Sequence, residues 1–130
     1  MNELPRNIPR WLVKAQNDEL SAESLLKHKD GSFSVAGFLC QQMVEKLLKA
    51  LLIFREVRIR KIHDLLELQR ILLVSDPDIV SLESELTLLN EYYTEARYPG
   101  DIPELTYPEA ERAFDAANKV KDFVHKKLGV

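Results

Sequence analysis

Amide, phenol and guanidinium side chains recur at helical spacing shortly before a Pro-Gly-Asp break in the chain. Asn90, Tyr93 and Arg97 are three and four residues apart, so a helix through this stretch places them on one face. A guanidinium binds phosphate through charge-assisted hydrogen bonds, and a tyrosine ring stacks on a base. This face fits the wall of a nucleotide pocket. It fits an ordinary helix C-terminus equally well, because a cation there favours the helix dipole.

His63 and Asp64 form a second candidate at the predicted start of the third helix. Histidine changes charge near neutral pH, so His63 suits acid–base work. Asp64 in the first turn suits the positive end of the helix dipole, and this role alone accounts for it.

Two further sets of polar residues lie on helices that are otherwise apolar. Asp18 stands between Ala15 and Ala22 in the apolar stripe of the first helix. Because burial of a lone carboxylate is costly, we expect Asp18 to be at least half buried with a cationic or phenolic partner, either as a structural pair or as a site carboxylate. The second helix carries a polar sector made of Gln41, Gln42, Glu45, Lys46 and Lys49. This sector is either a solvated face or a groove wall that meets a partner or a nucleotide.

Several kinds of chemistry lack their motifs in this sequence. His28, His63 and His125 are far apart, and no pair of ligands has the spacing of a metal site. No glycine loop for phosphate and no Gly-x-Ser-x-Gly elbow occurs. We therefore predict neither a metal nor a cofactor.

Composition indicates an ordinary globular domain. The 130 residues are 45% hydrophobic and 30% charged, with a net charge of −3, which argues against a general nucleic-acid binder. The lone Cys40 excludes an internal disulfide and fits a reducing compartment. No apolar stretch approaches the roughly 18 residues of a membrane span, and the N-terminus has no secretion signal. These features predict a cytoplasmic protein.

Apolar periodicity predicts an all-α fold, an up-and-down antiparallel bundle of about five helices, in one domain over residues 1–130 with a tail over 1–8. The predicted helices span about 9–29, 32–55, 63–73, 78–96 and 107–128. Residues 75–78 are expected to end the third helix and cap the fourth. The second helix carries Phe38, Leu48 and Leu52 outside its main apolar stripe. This surplus predicts burial on more than one side and a homodimer.

Four motifs in order resemble the HEPN domain family, which is named for nucleotide binding in higher eukaryotes and prokaryotes. They are Trp11-Leu12-x-x-Ala15-x-x-Asp18, Gln41-Gln42-x-x-Glu45-Lys46-x-Leu48-Lys49-Ala50, Lys61-Ile62-His63-Asp64-Leu65, and Tyr92-Tyr93 with Arg97-Tyr98-Pro99. The resemblance covers nearly the whole chain. It implies a helical bundle that often forms a homodimer and a minimal nucleotidyltransferase as gene neighbour. Such pairs are toxin–antitoxin-like or handle nucleotides.

Many HEPN proteins are also metal-independent ribonucleases that use Arg-x(4–6)-His near the start of the last long helix. Arg97 lies about where this motif begins, but Ile102, Pro103 and Glu104 follow and no His does. Arg58 and His63 have the spacing at another place, which we interpret as chance. We therefore expect no efficient RNA cleavage.

Three functions remain open at this stage. The first is a dimeric subunit that binds a nucleotide or RNA and works with a nucleotidyltransferase. The second is a ribonuclease with a degenerate or relocated site, for which Arg97 and His63 are the weak catalytic candidates. The third is a structural dimerising protein. Nucleotide-binding candidates are Asn90, Tyr93, Arg97, His63 and Asp64, with Asp18, Gln41 and Glu45 in support.

Overall fold

The structure, a computed structural model, describes residues 4–5, 7–58, 61–93 and 104–130. Within these ranges the chain forms five α-helices, a short 3₁₀ helix and no strand. The helices are α1 (Asn7–His28), α2 (Phe33–Phe54), α3 (Leu65–Leu72), α4 (Glu83–Asn90) and α5 (Tyr107–Leu128), with the 3₁₀ helix (Pro77–Leu82) directly before α4. The all-α prediction is confirmed.

Helix α2 lies at the centre of the bundle. Ser32 caps its N-terminus by accepting a hydrogen bond from the Ser34 backbone N–H at 3.2 Å. The helix packs against α1 and α5 along its length and also contacts α3 and α4. Leu48 and Leu52, which the sequence placed outside the main stripe, are fully buried inside one chain. Their burial confirms packing on several sides and removes the argument for a dimer that rested on surplus apolar surface.

Helix α5 completes the bundle, and capping interactions define both of its ends. Thr106 and Glu109 form a reciprocal capping box, and Gly129 ends the helix with a φ of 78°. Hydrogen bonds from the Thr106 backbone and hydroxyl lower the pKa of the Glu109 carboxyl. Ala113 and Ala117 are fully buried, because small side chains let α5 approach α2 closely. The predicted bounds of this helix are confirmed.

Other predicted helix bounds need correction. Helix α1 begins at Asn7 instead of residue 9, and Ile8 in its first turn is completely buried, so the predicted tail is shorter. Helix α3 begins after the Asp64 cap, which leaves His63 outside it. The predicted fourth helix is a 3₁₀ turn followed by α4, which ends at Asn90. Residues 91–93 are therefore not helical, and residues 94–96 lie outside the described residues.

Asp76 does not cap the following 3₁₀ helix as the sequence predicted, since its side chain makes no capping hydrogen bond. Its buried carboxylate instead receives two hydrogen bonds from Arg55, at 2.9 and 2.5 Å, and one from the Ser75 hydroxyl at 2.8 Å. Lys127 of α5 lies 3.6 Å away. This cluster joins the end of α2, the turn after α3, and α5.

No helix in the described part of the chain is long and apolar enough to span a membrane.

Candidate functional site

Three polar side chains of α2 are buried instead of solvated. Gln41, Glu45 and Lys49 are successive i,i+4 neighbours, and each has at most 5% of its surface exposed. They are buried because α2 is surrounded by other elements at this level of the bundle. Gln42 and Lys46, one position further along, are only partly buried. The solvated-face interpretation is therefore wrong for three of the five residues of the predicted polar sector.

The Glu45 carboxylate is the centre of this buried group. Its Oε2 accepts a hydrogen bond from Lys49 Nζ at 2.9 Å, and Oε1 lies 3.5 Å from Gln41 Nε2. His63 Nδ1 is 3.1 Å from both carboxylate oxygens. A buried carboxylate needs such partners, because desolvation without them is costly. Lys49 supplies the compensating charge from inside, and His63 contacts the carboxylate from the outer side.

His63 is held in place by contacts of both its backbone and its ring. Its carbonyl oxygen accepts a hydrogen bond from Gln41 Nε2 at 3.1 Å. Its ring stacks on Tyr93, with centroids 4.8 Å apart and planes 15° from parallel. The side chain remains 45% exposed. Because an ionised carboxylate only accepts hydrogen bonds, the contact with Glu45 favours the neutral tautomer that carries its proton on Nδ1, in which Nε2 is the acceptor nitrogen.

Asn90 and Asp64 bring the end of α4 to the start of α3. The Asn90 amide oxygen accepts a hydrogen bond from the Leu65 backbone N–H at 2.8 Å, and its nitrogen donates to Asp64 Oδ1 at 3.1 Å. Asp64 also caps α3 by accepting from the backbone N–H groups of Leu66 and Glu67. These two predicted site residues thus use hydrogen bonds within the fold, and they set the position at which Tyr93 meets His63.

The segment that carries Arg97 lies outside the described residues, and described residues on either side of it contact α2. Before it, Tyr92 is buried against Gly37, and after it, the Leu105 backbone N–H donates to the Ser34 hydroxyl at 2.9 Å. A Cβ atom at Gly37 would lie only 2.5 Å from the Leu105 side chain. The absence of a side chain at Gly37 therefore lets Tyr92 and Leu105 approach α2.

Asp18 of α1 forms a separate ion pair with α2. Its carboxylate is 15% exposed and lies 2.5 Å from Lys46 Nζ. The predicted burial and cationic partner are both confirmed. Burial, with a smaller effect of the Asp18 charge, raises the pKa of the Cys40 thiol to about 12. Cys40 is therefore an unreactive core residue, and Asp18 makes no hydrogen bond to Glu45 or His63 among the described contacts.

Arg58 lies away from the Glu45–His63 group. It lines a groove with Trp11 and Val57, beside the start of α1. The interpretation of Arg58-x4-His63 as a chance spacing is consistent with this placement. Within the described residues, no group of three or more potential ligands is placed to hold a metal ion.

Sequence reasoning underestimated two residues near the site. Lys49 was placed on a polar sector and Trp11 was named only in a family motif, but Lys49 Nζ lies 5.8 Å from the centre of the Trp11 ring. The signal that locates Lys49 is the i,i+4 repeat with Gln41 and Glu45 in a helix whose other faces are apolar. The contact with Trp11 depends on the packing of α1 on α2, which no local pattern shows.

Comparison with known proteins places this geometry in a family. The model of the HEPN domain matches residues 8–128. The crystal structure of TT1696 from Thermus thermophilus is 28% identical, with a TM-score of 0.77 over 95% of this chain and 99% of that chain. ST0689, described as an archaeal HEPN homologue, is 24% identical, with a TM-score of 0.72 over 95% of this chain and 98% of that one, and shows the shared fold. No match was found among proteins of curated function. The chain therefore belongs to the HEPN domain family.

Proposed function

We propose that this HEPN protein binds a nucleotide at the Glu45–His63–Tyr93 site. The observation that carries the proposal is the half-exposed His63 ring, stacked on Tyr93 at 4.8 Å and backed by the buried Glu45 carboxylate. An aromatic surface held in a fixed orientation offers a base a stacking partner without a large ordering cost. The Nε2 atom of His63 supplies a hydrogen bond to the sugar or phosphate.

Arg97 is the proposed phosphate ligand. It follows Tyr93 by four residues, and the segment that contains it starts at the stacked pair. A guanidinium binds a phosphate through two parallel hydrogen bonds, which a lysine cannot do. Lys49 is a poor alternative, because its ammonium group is buried and paired with Glu45.

Calorimetric titration with the 5′-monophosphates of adenosine, cytidine, guanosine and uridine tests this function. Arg97→Ala is expected to weaken binding roughly ten-fold or more, since a hydrogen bond to a charged group contributes about 1.5–3 kcal/mol. His63→Ala removes the stacking surface and is expected to have an effect of similar size. Arg70→Ala is the matched control, because Arg70 is exposed and pairs with Glu67 one turn away. Equal nucleotide affinities of the wild type and of the three variants would refute the proposed site.

A second candidate function, RNA cleavage, is favoured by the carboxylate–imidazole pair. Glu45 favours the His63 tautomer with Nε2 as acceptor, which is the form a general base needs to accept the proton of a ribose 2′-hydroxyl. We still expect no efficient cleavage, because the family position for the histidine after Arg97 holds Ile102 and Pro103. Incubation of labelled RNA with the protein and a chelator checks this expectation. Robust cleavage that His63→Ala and Arg97→Ala each abolish would establish the enzyme instead.

We also propose that the chain forms a homodimer and works with a minimal nucleotidyltransferase. HEPN proteins commonly dimerise. The exposed apolar residues Val13 and Leu20 lie two turns apart on α1, on the same side of the helix, and offer a contact face. Light scattering should give the mass of a dimer for the wild type. Val13→Lys should lower the measured mass towards that of a monomer, whereas Val80→Lys, a control on the 3₁₀ helix, should leave it unchanged. Co-purification with the product of an adjacent nucleotidyltransferase gene tests the second partner.

A further inference from the structure

A groove between α1 and α5 shares no residue with the proposed nucleotide site. It has a volume of about 320 Å³, at the small end of the roughly 300–1,000 Å³ that small-molecule pockets occupy. Its floor consists of Ala15 of α1 and of Met43 and Leu47 of α2, which are buried. The groove is therefore large enough for a small ligand and offers it an apolar base.

The order of the side chains along this groove follows from the directions of its two walls. Glu19 of α1 pairs with Lys121 of α5 at 2.8 Å. Further along α1, Leu26 packs in one cluster with Ala110 of α5. Residue numbers therefore rise along α1 as they fall along α5, and the two helices are antiparallel. Positions early in α1 face positions late in α5.

The groove is consequently polar at one end and apolar at the other. The Glu19–Lys121 pair marks the polar end, and Gln16 and His125 follow about one helical turn away on α1 and α5. The apolar end is lined by Leu12, Val13 and Val130. Leu12 and Glu19 are seven residues apart on α1, about 10 Å at a rise of about 1.5 Å per residue. This arrangement suits an elongated molecule with a polar head and an aliphatic tail.

The polar end of the groove favours an anionic head group. Three of its four polar side chains can donate hydrogen bonds to an anion, and they are Gln16, Lys121 and His125. Glu19 cannot donate, but Lys121 neutralises its charge, and the side chains of the pair are only 17% and 25% exposed. An entering carboxylate can take the place of Glu19 beside the Lys121 ammonium group.

His125 links this end of the groove to pH. Burial, together with the charge of Lys121, lowers the pKa of His125 below its ordinary value of 6.5, while the charges of Glu19 and Asp122 act in the opposite direction. The α2 residues on the floor carry no charge. The imidazole is therefore neutral at pH 7 when the groove is free. A carboxylate beside it raises this pKa, so binding of an anion takes up a proton.

We propose that this groove binds a small aliphatic carboxylic acid, with the carboxylate among Gln16, Lys121 and His125 and the chain directed towards Leu12. The chain lies over the apolar floor, where removal of its CH₂ groups from water drives binding. A head group without negative charge gains nothing from the Lys121 ammonium group and does not draw a proton to His125. This second site is independent of nucleotide binding at His63.

Octanoate is the probe, and the methyl group of Met43 reports on the floor of the groove. Met1 and Met43 are the two methionines of the chain, so carbon-13 labelling of methionine methyl groups gives two signals, which Met43→Leu assigns. We expect octanoate to shift the Met43 signal. Hexanoate, which is shorter by two CH₂ groups, should bind roughly ten-fold more weakly. Octylammonium, which has the same chain and the opposite charge, should leave the signal unchanged.

Substitution of the ion pair separates recognition from packing. Glu19→Gln leaves Lys121 free for the ligand and should tighten octanoate binding about ten-fold, the factor a hydrogen bond to a charged group gives. Lys121→Gln should weaken binding by about the same factor. Lys119→Gln is the matched control, because Lys119 is an exposed lysine of α5 outside the groove, and it should not change the affinity.

The pH dependence of binding tests the role of His125. The affinity for octanoate should rise as the pH falls from about 8 to about 6, because the bound state takes up a proton, and His125→Gln should remove this dependence. Circular dichroism checks that each variant keeps its helices. A Met43 signal that octylammonium shifts as strongly as octanoate, or that octanoate does not shift, would overturn the proposal. Folded Glu19→Gln protein that binds octanoate no more tightly than the wild type would also overturn it.

Discussion

Two carboxylates in this molecule, those of Asp76 and Glu45, are buried to a similar extent, but their partners differ in exposure to solvent. Asp76 contacts Arg55, Ser75 and Lys127, and these partners connect the end of α2, the turn after α3, and α5. Glu45 has Lys49 on its inner side, but its outer partner is His63, whose side chain is 45% exposed. The Asp76 cluster is the more closed of the two, because the side chains of Arg55 and Lys127 are 29% and 26% exposed, whereas the Glu45 cluster opens to solvent through an imidazole ring that is 45% exposed.

This difference separates a structural cluster from a site. In the Asp76 cluster every charge ties one element to another, so its loss affects folding. In the Glu45 cluster the outermost group contributes little to packing but is oriented by three neighbours: Glu45, Gln41 and Tyr93. Side chains that are precisely held and yet accessible are expected where a ligand binds, because preorganisation lowers the cost of binding. The following predictions test whether the two clusters differ in this way.

Asp76→Ala should have the largest effect on stability. It leaves Arg55 without its hydrogen-bonded partner in a partly buried position. Removal of one member of a buried pair costs about 3 kcal/mol or more, which urea unfolding measures. Nucleotide affinity at the His63 site should not change in the folded protein. Asp78→Ala is the control, because Asp78 is exposed and pairs only at the surface with Lys127, and it should cost under about 1 kcal/mol.

Acidification should weaken the same closed cluster. Burial alone would raise the pKa of Asp76, but hydrogen bonds from Arg55 and Ser75 and the charges of Arg55 and Lys127 bring it below the ordinary value of 3.8. A depressed pKa in the folded state means that the unfolded chain binds more protons, so this contribution is complete above pH 3.8 and is lost as the pH falls through the lower, folded pKa. Urea unfolding across this range should show the loss, and Asp76→Asn should remove that part of the pH dependence.

Asn90→Ala should have an intermediate effect on stability and a large one on ligand binding. It removes the hydrogen bonds to the Leu65 backbone and to Asp64, at a cost of about 1–2 kcal/mol. Because these bonds place the end of α4, Tyr93 should lose its fixed position on His63 and nucleotide affinity should fall. Asn118→Ala, which loses only a local bond to Phe114 within α5, should leave the affinity unchanged.

His63→Ala should have the smallest effect on stability. The side chain is half exposed, and Glu45 retains Lys49 after its loss. We expect a change in unfolding free energy of under about 1 kcal/mol together with a roughly ten-fold weakening of nucleotide binding. His28→Ala, at an exposed position at the end of α1, should change neither quantity. A His63→Ala protein as unstable as Asp76→Ala would show that the two clusters are both structural.

Much of the fold followed from local patterns in the sequence. Apolar periodicity predicted α2 and α5 closely, and the structure shows local hydrogen bonding at their ends: the cap at Ser32, the Thr106–Glu109 capping box and the turn at Gly129. Apolar periodicity continues from Ile79 to Leu89, but it does not distinguish a 3₁₀ turn from an α-helix or fix where α4 ends. The HEPN resemblance, carried by four short motifs, is confirmed.

The candidate site was predicted less completely, since it depends on contacts between distant elements. The sequence selected Gln41, Glu45, His63 and Tyr93, and the structure brings these four together. It could not show that α2 would bury Glu45 and Lys49, because their burial depends on how α1, α3 and α4 surround α2. Asn90 and Asp64 were predicted as ligand contacts, whereas their hydrogen bonds mainly join α3 to α4. Arg97 remains a prediction.

The most direct test of the open cluster is a nitrogen-15 NMR spectrum of histidine-labelled protein during titration with 5′-AMP. The three histidines are assigned by comparison with His28→Ala, His63→Ala and His125→Ala. We predict that neutral His63 carries its proton on Nδ1, facing Glu45, and that its ring signals shift on addition of the nucleotide while those of His28 and His125 do not. A His63 ring protonated on Nε2 in its neutral form, or His63 signals that remain unchanged at saturating nucleotide, would contradict the account.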